Sequence, residues 1–139
     1  MGKEQIVQLI EAALQAREKA YAPYSRFQVG AALLCADGSI YTGCNVENAS
    51  YPASNCAERT AVFKAVSEGK KDFLALAVMG GVQDGERLSD CMPCGICRQL
   101  LAEFAAEDLT VITGASAKDY RQYTLGELLP HSFSKKNLQ

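Results

Sequence analysis

Residues 74–79 read Leu-Ala-Leu-Ala-Val-Met, an unbroken apolar run near the middle of a chain of 139 residues. A strand with one wet face alternates apolar and polar side chains, because successive residues point to opposite sides of the sheet. A strand with no polar position needs cover on both faces. The run therefore predicts the central strand of a sheet held between two other layers, and it falls far short of the ~20 residues that span a bilayer.

The rest of the chain supplies those layers. Ile6, Leu9, Ile10, Ala13, Leu14 and Ala20 recur at helical spacing, with Lys3, Glu4, Glu11, Arg17, Glu18 and Lys19 between them, which predicts an amphipathic helix over residues 3–20. Pro23, Tyr24 and Ser25 break it. Val29, Ala31, Leu33 and Cys35 then alternate up to Asp37-Gly38, and Ile40, Thr42, Cys44 and Val46 alternate after it, the pattern of a β-hairpin. After a loop over residues 48–54, Ala57, Ala61, Val62, Ala65 and Val66 mark a helix over 56–68 that stops at Gly69. A polar loop over 83–93 precedes a third helix over 95–106, built on Ile96, Leu100, Leu101 and Phe104, and a strand over 109–112. Residues 120–123 read as an edge strand, and 125–129 as a last short helix closed by Pro130. With no repeat, linker or low-complexity segment, residues 1–139 read as one α/β domain with a mixed sheet and helices on both faces.

Composition excludes several classes of function. Fourteen basic against sixteen acidic residues, with a pI near 5.4, lack the positive excess that phosphate backbones attract, so no nucleic-acid partner is expected. The N-terminus has no apolar signal segment, and a soluble cytoplasmic protein with no membrane partner is expected. A domain of this size needs no disulfide staples, so its six cysteines call for another explanation. In a reducing compartment, clustered cysteines are metal ligands or catalytic groups more often than bridges. The sole histidine, His131, lies in the tail, which argues against Ser-His-Asp or Cys-His chemistry, and there is no P-loop or dinucleotide glycine pattern.

Two segments carry the chemistry: Cys56-Ala57-Glu58 and Pro93-Cys94-Gly95-Ile96-Cys97, each at the start of an expected helix. A helix N-terminus favours the thiolate, and C-x2-C spacing lets two sulfurs converge on one tetrahedral ion. Cys56, Cys94 and Cys97 as ligands leave a fourth position for water, the arrangement of a catalytic zinc. Zinc lowers the pKa of its water towards ~7, and Glu58, two residues from the first ligand, is placed to take that proton. Plainer readings stand beside these. Asn55-x-x-Glu58 is also a capping-box pattern. Cys91 stands at ligand spacing from Cys94 and could close a structural four-sulfur site, whereas Cys35 and Cys44 on the hairpin read as packing. Three thiolates outweigh one Zn2+, and Arg59 would offset the excess by contacting a ligand sulfur; Arg98 poses the same question. Without further context Asn45 and Glu47 read as a polar strand end, and Phe27 as a core aromatic.

The combination C-x-E with P-C-x-x-C follows the pattern of the zinc deaminases, with cysteine in place of histidine. Together with Cys44-Asn45-Val46-Glu47-Asn48-Ala49-Ser50-Tyr51, Arg59-Thr60-Ala61, Met92, Arg98-Gln99 and Phe27-Gln28-Val29-Gly30-Ala31-Ala32, it resembles the small homotetrameric cytidine deaminases with a three-cysteine zinc site. The resemblance runs from about Tyr24 to Phe104, with Phe133 fitting as well. It implies a three-layer α/β/α fold around a five-stranded mixed sheet, one Zn2+ per chain, and hydrolysis of cytidine and 2′-deoxycytidine to the uridines with release of ammonia. It implies Cys56, Cys94 and Cys97 as ligands and Glu58 as the proton shuttle. Asn45 and Glu47 would hold the ribose hydroxyls and Phe27 would pack on the pyrimidine. The Ala57 backbone and the Glu58 side chain would read the base edge. Ala49, Tyr51 and Phe133 would reach a neighbouring subunit's site in a homo-oligomer; for Tyr51 and Phe133 local packing is the rival reading. Two alternatives stay open: a deaminase of another aminopyrimidine nucleoside such as blasticidin S, and a non-catalytic zinc-stapled interaction module.

Overall fold

The computed structural model describes residues 1–85 and 88–139. Helix α1 (Lys3–Arg17) leads into strands β1 (Phe27–Cys35) and β2 (Ile40–Cys44), then α2 (Ala57–Ser67), β3 (Phe73–Val82), α3 (Gly95–Phe104), β4 (Thr110–Ser116), β5 (Asp119–Thr124) and the short α4 (Leu125–Leu128). The strands form one mixed sheet in the order β2-β1-β3-β4-β5. β1 pairs antiparallel with β2 and β3, β3 runs parallel to β4, and β4 is antiparallel to β5.

The apolar run lies where its composition places it, in the middle of the sheet. Its alternate side chains go to two separate cores. Leu76 and Val78 pack with Ala57, Ala61, Val62 and Ala65 of α2 and Leu101 of α3. Ala75, Ala77 and Met79 pack with Ile6, Leu9, Ile10 and Ala13 of α1. All five strand residues are completely shielded, whereas Leu74 at the start of the run is exposed. The three layers are thus α1, the sheet, and α2 with α3.

The opening helix stops at Arg17 rather than running to residue 20. Residues 18–20 continue with tight turns, Glu18, Lys19 and Ala20 donating to carbonyls three residues back. Tyr21 then extends into a bridge with the chain after β2, donating to Asn45 O at 3.0 Å and accepting from Glu47 N at 2.8 Å. The same bridge takes Val46 out of the hairpin: β2 ends at Cys44, and Val46 pairs instead with Asn55. The turn at Gly38 has the expected positive φ, 91°. The expected edge strand and closing helix are β5 and α4, the latter opened by a Thr124–Glu127 capping box. Part of the expected loop over 83–93 lies outside the described residues.

Register decides where a site can form. Phe27, at the start of β1, is opposite Val82, at the end of β3, and Gly30 is opposite Cys44, at the end of β2. The entry of β1 and the exits of β2 and β3 therefore share one end of the sheet, and from the exit of β2 the chain loops through a short 3-10 turn at Tyr51–Ala53 and returns by the Val46–Asn55 bridge to start α2.

Candidate metal centre

The geometry of α2 is set by a glycine. A Cβ on Gly43 would lie 2.6 Å from Ala57 O and 2.6 Å from Ala61 N, so the first turn of α2 rests directly on the β2 backbone. Thr60 secures it further. Its hydroxyl lies 3.0 Å from Cys56 O and 3.2 Å from Cys44 O, and accepts from Asn55 Nδ2 at 3.1 Å. This pattern removes the capping-box reading of Glu58. Cys56, not Asn55, is the N-cap of α2, no side chain caps it, and Asn55 is bonded to Thr60. α3 starts the same way, with Cys94 at its N-cap.

The two helix starts bring three sulfurs together. Cys56 Sγ is 3.9 Å from Cys94 Sγ, Cys94 Sγ is 3.4 Å from Cys97 Sγ, and all three lie within 4.8 Å of one another. Zn–S bonds of about 2.3 Å in a tetrahedron place sulfurs about 3.8 Å apart, so the trio has the spacing and the soft donor set of a zinc site. Cys97 is buried, Cys56 half-buried and Cys94 exposed, which gives the cluster one open side. Cys91 is not in this group. Its sulfur packs against β3, where a Cβ on Gly80 would come within 2.7 Å of it. Burial pushes the Cys91 thiol up to about 12, with the charges of Glu58 and Cys56 adding to the effect.

Charge around the trio is arranged to hold a thiolate. Hydrogen bonding from Cys97 and then the Arg59 guanidinium bring Cys56 down to about 5 against the cost of burial, while the Cys56 sulfur and burial push Cys97 up. Arg59 Nη2 donates to Cys56 Sγ at 3.4 Å, and Arg59 Nε is buried without an acceptor among the described residues. Arg98 turns elsewhere, donating to the carbonyls of Pro93 at 2.8 Å and Leu128 at 2.7 Å, so it ties the cysteine loop to α4 and leaves the sulfurs alone. Glu58 is only 4% exposed. Burial raises its pKa first and the Cys56 charge adds to this, opposed by its own backbone N–H, Cys97 and Arg59.

The remaining expected residues divide into two groups. Phe27, Asn45 and Glu47 meet at the shared sheet end. Asn45 Oδ1 accepts from Val29 N at 2.8 Å and its Nδ2 donates to Phe27 O at 2.8 Å. Glu47 Oε1 accepts from Tyr24 N and Ser25 N, both at 3.0 Å, and Oε2 accepts from Ser25 Oγ. Ala57 is buried beneath Glu58 at the start of α2. Ala49, Tyr51 and Phe133, by contrast, are exposed, at 76% for Tyr51 and 60% for Phe133. Gln99 Nε2 holds the Phe133 carbonyl at 2.8 Å. Two contacts escape sequence reading: Ser25 on Glu47, and Arg17, which reads as a solvated helix residue yet donates to Gln28 O, Gly81 O and Val82 O. Their partners are 22 and up to 65 positions away, and no local spacing signals them.

Fold and site together define a layered α/β protein whose two helix N-termini bring together three cysteine sulfurs that could hold a metal ion, with a buried carboxylate on the first turn of α2. Residues 3–113 match the family described as the cytidine and deoxycytidylate deaminase zinc-binding region, and the chain belongs to it. A cytidine deaminase of Halalkalibacterium halodurans is 53% identical over 130 residues, covering 94% of this chain and 95% of that one. The crystal structure of a cytidine deaminase from Burkholderia pseudomallei superimposes with a TM-score of 0.80 at 49% identity, covering 91% of this chain and 97% of that one. A blasticidin-S deaminase of Bacillus cereus is more distant, 28% identical over 135 residues, 95% of this chain and 94% of the other.

Proposed function

We propose that this chain hydrolyses free cytidine and 2′-deoxycytidine to uridine and 2′-deoxyuridine. Water adds at C4, the amine departs as ammonia, and no other co-reactant is needed. The observation that carries this reading is the buried Glu58 beside three converging cysteine sulfurs. A structural zinc staple has no use for a buried carboxylate at that position.

Cys56, Cys94 and Cys97 would hold one Zn2+, which when bound supplies the Lewis acidity that makes water acidic near neutral pH. Glu58 does the proton work. Its raised pKa suits a group that must accept a proton from water, pass it to ring N3, and help protonate the leaving amine. The Ala57 backbone and Glu58 read the base edge, Phe27 lies on the pyrimidine, and Asn45 and Glu47 hold the sugar. Tyr51 and Phe133, both largely exposed, and Ala49 complete the site of a neighbouring copy in a homotetramer. A role in pyrimidine salvage in the cytoplasm follows from a free nucleoside as substrate. None of the helices among the described residues is long and apolar enough to cross a membrane.

The test is direct. Zinc-loaded protein incubated with cytidine should bleach its ultraviolet absorbance and release one ammonia per nucleoside, with 2′-deoxycytidine behaving likewise and blasticidin S untouched. Absorbance and ammonia that stay constant with both nucleosides would overturn the reading.

A further inference from the structure

The carboxylate of Glu47 is nearly full before any sugar arrives. A carboxylate offers about four acceptor positions, two on each oxygen. The amides of Tyr24 and Ser25 take both on Oε1, each at 3.0 Å, and the Ser25 hydroxyl takes one on Oε2. One position remains, on Oε2. Hydrogen bonding keeps the group an acceptor only: the Ser25 hydroxyl first, then the amides of Ser25 and Tyr24, hold its pKa below the usual carboxylate value against the opposing cost of burial.

The local backbone fixes this arrangement. Arg26, with φ of 58°, closes a tight turn by donating to Ala22 O at 3.0 Å, and that turn aims the amides of residues 24 and 25 at Glu47. Phe27 N donates to Ser25 Oγ at 3.0 Å, so the hydroxyl oxygen acts as acceptor on one side and its single proton is left for Glu47. Asn45 is fixed beside it, Oδ1 accepting from Val29 N and Nδ2 donating to Phe27 O, which leaves the second Nδ2 hydrogen for the sugar and keeps Asn45 off the Glu47 carboxylate.

The 2′ and 3′ hydroxyls of a ribose stand on adjacent carbons, and a carboxylate with two free positions would bind both. We propose that Ser25 is a specificity-determining positioning residue: by occupying Oε2 it restricts Glu47 to a single sugar hydroxyl, so that the chain does not demand a ribose over a deoxyribose. This rests on the reading above that Glu47 holds the sugar.

The experiment compares kcat/KM for cytidine and for 2′-deoxycytidine in the zinc-loaded parent, Ser25→Ala, Ser25→Thr and Glu47→Gln. Ser25→Ala frees a second position on Oε2, so the cytidine-to-deoxycytidine ratio should rise about tenfold, the worth of one hydrogen bond to a charged group, whatever the absolute loss. Ser25→Thr keeps the hydroxyl and should keep the parent ratio. A Ser25→Ala enzyme weakened equally towards both nucleosides, or a threonine variant that shifts like alanine, would overturn the proposal. If alanine prevents folding, Ser25→Cys, with its weak S–H donor, should move the ratio in the same direction by less, and an unmoved ratio there overturns it too. Failure of the underlying reading looks different: Glu47→Gln would then retain the parent kcat/KM for cytidine.

Discussion

A single guanidinium settles the electrostatics of the proposed zinc site. Three thiolates against one Zn2+ leave a net charge of about minus one, and the two helix N-termini supply roughly half a positive unit each, shared among several sulfurs. Arg59 places a whole unit on Cys56. Arg59→Ala should therefore weaken zinc affinity about 10–100-fold, or move the acid limb of the kcat/KM profile to higher pH, since losing a positive charge makes deprotonation at the site harder. Arg59→Gln, which still donates, should do less, and a zinc titration with a pH profile checks both. Cys91 gives a second test, on stability. Its thiol is neutral in the fold, with a pKa near 12 against an ordinary 9.0, so the unfolded chain loses this proton first. A raised folded pKa contributes stability that is present below pH ~9 and is lost as pH climbs towards 12. Stability measured by denaturant unfolding between those limits should fall less steeply with pH in Cys91→Ala than in the parent. At this scale the sequence is most legible where chemistry is local: Cys56 and Glu58 share one turn, and Cys94 and Cys97 another. Ser25 acts on a carboxylate 22 positions away and Arg17 and Arg98 on carbonyls as far along the chain, and nothing about a serine or an arginine announces such a target.

Among elements, the contact that counts most for the site is α2 on β2. Gly43 permits it, and the atoms a side chain would strike there are backbone, which cannot rotate aside. Gly43→Ala should cost about 1–3 kcal/mol by displacing the start of α2, with zinc content falling along with stability because Cys56 and Glu58 ride on that turn. Denaturant midpoints and metal analysis on the same preparation measure both. An alanine variant with the parent's midpoint and zinc would show that α2 is positioned by something else. The element plan is readable where a segment advertises its cover, as the run over 74–79 does by needing two layers; β1 is covered on both faces as well, Ala31 and Leu33 in one core and Ala32 and Leu34 in the other, which the alternation over 29–35 does not show. Helix ends were less readable. Residues 18–20 carry helix-forming side chains, yet α1 gives way there to tight turns that lead Tyr21 into its pairing with residues 45–47, a tertiary contact.

For the molecule as a whole, two exposed rings and one proton carrier bear the argument. Tyr51 and Phe133 are largely open to solvent, which supports assembly with the rings inserted at neighbouring sites. Light scattering should report about four chains per particle, and a fully active monomer would contradict that assembly. The proposed reaction requires metal and carboxylate together, so the most direct measurement is a zinc titration of the metal-free chain with cytidine turnover as the readout, run beside Glu58→Gln. Turnover in the parent should rise from nothing to a plateau at one zinc per chain. The Glu58→Gln chain should bind the same zinc and fold, yet turn over at least ~10^3-fold more slowly, because glutamine keeps size and hydrogen bonding but cannot carry a proton. Turnover without zinc, or a Glu58→Gln chain working at a tenth of the parent rate, would contradict it.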